Sequence, residues 1–183
     1  MYEPTTGYMT EMLKKEFLNL RVRPEKHNLK CVQSLNYKDN NSDELYFWQL
    51  YSLLGENKID FFITNFYKRI FDDYDEKKFM ETFKELGNIK KHIHDQTIFW
   101  MDCMGGGKLY KGGEKKLYFH HKIAQDIMNE KGAVRWLYHM KNTIYDENLY
   151  LGEDIRIQPC IVEYVNFFME KYGNQFNFTF SKL

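Results

Sequence analysis

Apolar side chains recur at steps of three and four residues along most of this chain, which is the spacing that places them on one face of an α-helix. No segment alternates apolar and polar residues for long enough to predict a β-hairpin, and the chain has only three prolines. The pattern therefore predicts an all-α fold. The predicted helices span approximately residues 6–20, 43–54, 58–71, 89–104, 133–144 and 159–173.

Individual residues predict where some of these helices begin and end. Asn41 and Ser42 are suitable N-caps for the second helix, and Gly55 is expected to end it. Three consecutive glycines after residue 104 are expected to stop the fourth helix. Pro159 suits the first turn of the last helix, and Gly173 suits its C-terminal end.

The chain divides into three predicted parts. Residues 1–42 form an N-terminal extension with one short helix and a polar linker, residues 43–175 form the main domain, and residues 176–183 form a tail. A length of 183 residues suits one domain with an appendage. Apolar residues make up 43% of the chain, which is enough for a substantial core.

Charge and cysteine content exclude several classes of partner. The 26 basic and 26 acidic side chains cancel, so the chain lacks the positive field that binding to nucleic acid or an anionic membrane requires. No apolar run is long enough to span a membrane, and the charged N-terminus does not resemble a signal peptide. Three widely separated cysteines indicate neither a disulfide framework nor a thiolate zinc site, so a cytoplasmic location is expected.

Three polar side chains fall on otherwise apolar helix faces: Tyr67, His92 and Gln96. His92 and Gln96 are one helical turn apart and project side by side. A buried polar group without a partner costs about 1 to 3 kcal/mol. Each of the three could bond separately to a nearby carbonyl group, but their combination indicates a shared partner.

A histidine pair, His120 and His121, is the second candidate feature. Consecutive helical residues point about 100° apart, so only one of the two can face the interior. His121 shares a face with Leu117 and Ala124, whereas Lys116 precedes His120 by one turn. This comparison favours His121 as the inward residue and leaves His120 as the alternative.

Four segments, in order, resemble the truncated globins, a family of short two-over-two helical sandwiches around haem. The resemblance covers roughly residues 45–172 and combines features of the family's second and third groups. The segments are LYSLLGENKIDFFITNFYKRIF, HDQTIFWMDCMGGGKLY, LYFHH and VRWLYHM.

On the distal side, the resemblance implies that Tyr67 is the tyrosine that hydrogen-bonds a bound ligand. His92 and Gln96 occupy two further distal polar positions. Phe83 corresponds to the phenylalanine that packs on the haem, with Phe79 as the less favoured candidate.

On the proximal side, the resemblance implies that His121 is the ligand of the haem iron, with His120 as the alternative. Leu117 lies one turn before His121. Trp136 resembles the tryptophan that closes the floor of the pocket. Phe99 and Trp100 of the distal helix are further predicted contacts of the cofactor.

The predicted function is that of a globin with haem b that reversibly binds O2, NO or another diatomic ligand. Two distal donors, each contributing about 1 to 1.5 kcal/mol, would slow O2 release about 30- to 150-fold. Nitric-oxide dioxygenation and peroxidase-type chemistry are the candidate reactions, and either would depend on an unidentified electron donor. The alternative is a haem-based gas or redox sensor, or a partner-binding module, that uses residues 1–42. A third interpretation is that the chain is a helical protein without a cofactor.

Overall fold

The computed structural model describes residues 9–21, 35–40, 42–85, 87–107, 109–110, 127 and 129–183. Within these ranges the chain forms six α-helices and one pair of two-residue strands, which confirms the all-α prediction. The elements are α1 (Glu11–Asn19), β1 (Asn36–Tyr37), β2 (Leu45–Tyr46), α2 (Leu50–Phe71), α3 (Lys77–Glu85), α4 (Ile89–Cys103), α5 (Glu130–Ile144) and α6 (Ile157–Phe176).

The start of α2 differs from the prediction. The helix expected from Asn41 or Ser42 does not begin there, because Leu45 and Tyr46 form β2 and pair antiparallel with β1. A short 3-10 helix, Phe47–Gln49, follows and leads into α2. The pairing partner lies in the preceding polar stretch, so the helical spacing of residues 43–54 could not reveal it.

Gly55 interrupts α2, as its predicted role in ending a helix requires. Its φ of 72° is left-handed, and the helix is kinked at this residue. Glycine adopts this conformation without the steric cost that a side chain would impose. The second part of α2 closely matches the helix predicted over residues 58–71.

The end of α6 also differs from the prediction. Gly173 does not stop the helix, which continues to Phe176 and ends at Asn177 in the left-handed conformation, with φ 56°. Gly173 is buried, and an added Cβ would lie 2.8 Å from the carbonyl oxygen of Phe178. The glycine therefore allows the following segment to fold back against the helix. That segment ends where the Leu183 backbone N–H donates to Asn166 Oδ1 at 2.9 Å.

Helix α2 occupies the centre of the domain and packs against α1, α3, α4 and α5. The 3-10 helix supplies the most deeply buried aromatic residues, Phe47 and Trp48. The Phe47 ring stacks on Tyr164 of α6 with 3.8 Å between ring centroids. Among the described residues, no helix is both long and apolar enough to cross a lipid bilayer.

Helix α1, which lies in the predicted N-terminal extension, packs directly on the 3-10 helix. Thr10 caps α1, and Phe17 of this helix contacts the Trp48 ring edge-on at 6.0 Å. Gln49 is buried, and its Nε2 donates to the carbonyl oxygens of Phe17 and Leu20, each at 3.0 Å. These bonds tie Gln49 to the end of α1, where the Phe17 carbonyl oxygen also accepts from the Leu20 backbone N–H at 3.2 Å.

Candidate functional site

Tyr67 lies at the centre of an aromatic cluster on the inner face of α2. Its side chain is buried, and its ring meets Phe66, Phe83 and His92 edge-on at centroid distances of 4.9, 6.4 and 4.9 Å. Burial raises the pKa of the Tyr67 phenol far above its usual value. The hydroxyl group therefore stays protonated at physiological pH and is available as a hydrogen-bond donor.

Helix α4 places His92 beside this cluster, and Gln96 follows one turn later. Asn88 caps the helix by accepting a hydrogen bond from the Lys91 backbone N–H at 3.1 Å, so His92 falls in the first turn. Both His92 and Gln96 are half-buried. The structure thus brings Tyr67 and His92 into ring contact and places Gln96 one turn further along the same helix.

Trp136 of α5 contacts the same cluster through Phe66. Its half-buried indole ring meets Phe66 edge-on at 4.8 Å. Helix α5 begins at the Asn129 cap, whose side chain accepts from the Gly132 backbone N–H at 3.0 Å. Gly132 is required there because an added Cβ would lie 1.7 Å from the Ile127 carbonyl oxygen. The close approach fixes where α5 starts and hence where Trp136 lies.

The two candidate phenylalanines of α3 have different neighbours. Phe83 is buried and contacts Tyr67, whereas Phe79 is half-buried and contacts Phe83 at 5.0 Å. Phe79 also lies parallel to the His139 ring of α5, at 6.2 Å. Phe83 is therefore the member of the pair that adjoins the tyrosine.

Phe99 and Trp100 follow His92 by about two turns on the same face of α4. Trp100 packs against Phe62 and Tyr164 at 5.7 and 4.8 Å. Phe99 meets Tyr110 edge-on at 5.2 Å. Both residues thus extend the aromatic face of α4 beyond His92, towards Phe62, Tyr164 and Tyr110. Leu117, His120 and His121 lie outside the described residues.

Three further residues of these contacts were assigned no role from the sequence. Phe66 bridges Tyr67 and Trp136, and its position beside Tyr67 on an apolar helix face was the available signal. Asp73 and His139 form a buried pair, with 2.7 Å between the carboxylate and Nε2. They are far apart in the chain, and no local pattern connects them.

Rings from α2, α3, α4 and α5 thus form one aromatic cluster. Phe66, Phe83 and Trp136 belong to it, and its polar groups are the Tyr67 phenol and the His92 imidazole. Within the described ranges, no group of three or more His, Cys, Asp or Glu side chains is placed to hold a metal ion. These features define an all-α protein with an aromatic cluster that carries a buried hydroxyl group.

Comparison with known proteins identifies the family to which the chain belongs. A family model described as a bacterial-like globin matches residues 49–168, and the chain belongs to this family of truncated globins. The chain is also 32% identical over 111 residues to two-on-two hemoglobin-3 of Arabidopsis thaliana. That alignment covers 60% of this chain and 61% of the plant protein, which is less than two thirds of its length.

Globins are haem proteins, and the chemistry of the aromatic cluster around Tyr67 fits a haem. A flat, largely apolar macrocycle packs well against aromatic rings, and a diatomic ligand beside it requires hydrogen-bond donors. Tyr67 supplies a buried hydroxyl group, and His92 adjoins it. The fit concerns the distal side, because His121 lies outside the described residues.

Proposed function

We propose that this chain is a haem b globin that binds O2 reversibly and that Tyr67 is its principal distal donor. The observation that carries the proposal is the contact between the buried Tyr67 and the half-buried His92, at 4.9 Å, on two helices matched by the globin family. Gln96 is proposed as a second donor, one turn after His92.

The residues that would hold a bound haem are proposed from several parts of the chain. Phe83 and Trp136 contribute from α3 and α5, and Phe99 and Trp100 contribute from the remainder of α4. On the proximal side, we propose Leu117 as a packing residue and His121 as the axial ligand, with His120 as the alternative. A neutral imidazole is a common iron ligand in globins.

When bound, the haem supplies an iron atom whose open axial position takes a diatomic ligand. The residues of this chain determine which ligand is favoured. A protonated Tyr67 hydroxyl donates to a ligand whose outer atom carries partial negative charge, as O2 does and CO does not. One such hydrogen bond would stabilise bound O2 by about 1 to 1.5 kcal/mol and would therefore slow its release.

A visible spectrum is the first test of this proposal. The purified protein should give a Soret band after haem is added, and the absence of such a band would refute the globin function. His121→Ala should abolish the proximal ligation signature, whereas His120→Ala should retain it. The reverse result would make His120 the ligand.

The role of Tyr67 is tested by O2 dissociation measured in Tyr67→Phe. We expect dissociation to accelerate about 5- to 13-fold, which corresponds to the loss of one such donor. Tyr164→Phe is a matched control, because Tyr164 is equally buried and its hydroxyl bonds to Cys103 Sγ rather than lying in the Tyr67 cluster. Equal rates in wild type and Tyr67→Phe would refute the role.

The candidate reactions are nitric-oxide dioxygenation and peroxidase-type oxidation, with electrons from a separate donor. A donor-rich pocket that holds O2 favours these reactions over rapid oxygen delivery. Steady-state consumption of NO by the O2-loaded protein, compared between wild type and Tyr67→Phe, tests the first reaction. A rate that does not depend on Tyr67 would argue against it.

A second candidate function, gas or redox sensing through the N-terminal extension, is favoured by how α1 is attached. Gln49 bonds to the end of α1, and the neighbouring Trp48 carbonyl contacts Gly105 at the end of α4. Helix α1 is thus linked to the helix that carries His92. Gln49→Ala should release α1 and make it sensitive to protease. A sensor further requires that protease sensitivity differ between the O2-loaded and ligand-free proteins.

A further inference from the structure

A buried carboxylate joins the end of α2 to α5. The Asp73 side chain, two residues after α2, is only 2% exposed. It accepts two hydrogen bonds from the Arg135 guanidinium, one of them from Nε at 2.6 Å. It also lies 2.7 Å from His139 Nε2, which must carry a proton because an ionised carboxylate can only accept. We refer to these three residues as the Asp73 cluster.

The charges of the Asp73 cluster are fixed by its own geometry. The hydrogen bonds from Arg135 hold the pKa of Asp73 well below its usual range despite burial, and the same contact raises the pKa of Arg135. A guanidinium and a carboxylate joined by two parallel bonds are restricted in orientation as well as in distance. Arg135 and His139 are one turn apart on α5, so Asp73 fixes the rotation of this helix about its axis.

One row of contacts leads from the cluster to the haem side through α5. Trp136 directly follows Arg135, so any rotation of α5 that breaks the guanidinium contact also moves the indole ring. That ring meets Phe66 at 4.8 Å, and Phe66 meets Tyr67 at 4.9 Å. Both contacts are edge-on and depend on ring orientation.

A second row leads from the cluster through α3. The His139 ring lies parallel to Phe79 at 6.2 Å, Phe79 meets Phe83 at 5.0 Å, and Phe83 meets Tyr67 at 6.4 Å. The two rows start at Arg135 and His139, the two α5 residues that bond to Asp73. Both rows end at the Tyr67 ring.

We propose that Asp73 is a positioning residue for ligand binding, which holds Trp136 and Phe83 at the orientations that aim the Tyr67 hydroxyl at the ligand. The inference rests on the proposed function, because it concerns the ligand of the haem. Asp73 bonds to Arg135 and His139, and it acts on the Tyr67 ring through the two rows.

The test is O2 dissociation measured in the haem-loaded Asp73→Asn protein. Asparagine keeps the size of the side chain but removes the charge and part of the accepting capacity. We expect dissociation to accelerate about threefold to tenfold, because the Tyr67 hydrogen bond loses its best geometry. The C–O stretching frequency of the CO complex should also shift, since it reports the polarity next to the ligand.

Arg156→Gln is the matched control. It breaks the paired bonds between the Arg156 guanidinium and Asp154 before α6, which lie outside the two aromatic rows. A purely structural role predicts that both variants lose stability in urea and that neither changes O2 dissociation. The positioning role predicts that only Asp73→Asn changes it.

A double variant tests whether Asp73 acts through the tyrosine. Once Tyr67→Phe has removed the hydroxyl, adding Asp73→Asn should accelerate O2 dissociation no further. Additive effects would overturn the proposal, as would equal O2 dissociation in Asp73→Asn and Arg156→Gln. If Asp73→Asn does not fold, Arg135→Lys, which keeps the charge but replaces the two parallel bonds with a single contact, must give the same acceleration.

The outcomes separate this inference from the proposed function. A protein that binds no haem overturns both. A haem protein in which Tyr67→Phe accelerates O2 release but Asp73→Asn and Arg135→Lys do not overturns the positioning role alone.

Discussion

Replacing Gly105 by alanine should destabilise the junction that holds the distal helix. Gly105 follows α4 with a φ of +90°, and an added Cβ would lie 1.9 Å from the backbone carbonyl oxygen of Trp48. The two segments are tied together here, because the Tyr51 backbone N–H donates to the Met104 carbonyl oxygen at 3.0 Å. A backbone atom cannot turn aside as the end of a flexible side chain can, so the end of α4 must move.

Two costs combine in this variant. Alanine in a left-handed conformation costs about 1 to 2 kcal/mol. Overpacking a tightly packed site adds about 1 to 3 kcal/mol. We therefore expect Gly105→Ala to lower the free energy of unfolding by about 2 to 5 kcal/mol.

Gly87→Ala provides the matched control for the first cost. Gly87 has a φ of +105°, but nothing lies within 4 Å of an added Cβ. Gly87→Ala should lower the free energy of unfolding only by the conformational cost, about 1 to 2 kcal/mol. Urea unfolding followed by far-UV circular dichroism measures both variants. If Gly105→Ala loses no more stability than Gly87→Ala, the close approach to Trp48 does not constrain the fold.

Three further predictions concern the core, the Asp73 cluster and the end of α6. Phe47→Ala should lower the free energy of unfolding, measured in urea, by about 3 to 5 kcal/mol, because the ring is fully buried and stacked on Tyr164. Acidification from about pH 7 to 5 should destabilise the protein in urea titrations: burial lowers the pKa of His139, so the unfolded chain takes up the proton first. His139→Gln should remove that part of the pH dependence. Asn177 has a left-handed φ of 56°, which glycine adopts freely and alanine does not. Asn177→Ala should therefore lower the Tm and reduce the free energy of unfolding by about 1 kcal/mol, whereas Asn177→Gly should leave both unchanged.

Controls distinguish these effects from general damage. Phe47→Leu keeps most of the buried volume and should cost less than Phe47→Ala. His94→Gln changes an exposed histidine of α4 and should leave the pH dependence of unfolding intact. An unchanged pH profile in His139→Gln would show that another group carries the dependence. Equal Tm values for the alanine and glycine variants of Asn177 would show that its backbone conformation is not limiting.

The sequence predicted those elements whose signals are local. Helix α4 was expected over residues 89–104 and extends from Ile89 to Cys103, since both its periodic face and the glycines that end it lie within the segment. Gly55 was recognised as a break because its effect depends on its own backbone. Gly173 carried the same kind of signal but lies inside α6, because Phe178 packs over it and the helix continues.

Predictions that depended on distant partners were less complete. The second helix starts later than expected because Leu45 and Tyr46 pair with Asn36 and Tyr37. Its capping residues looked suitable because the competing partner leaves no mark on residues 43–54. Gln49 likewise gave no sign that it bonds to the end of α1.

What the sequence determined by itself is the helical class, the globin family resemblance and the identity of the polar residues on apolar faces. Periodicity and motif order are properties of the chain alone, so Tyr67 and His92 could be selected before their contact was known. Only the tertiary structure decided that these two rings meet at 4.9 Å and that Asp73 bonds to Arg135 and His139. Such contacts depend on how α2 and α5 pack, and many different packings share the same local pattern.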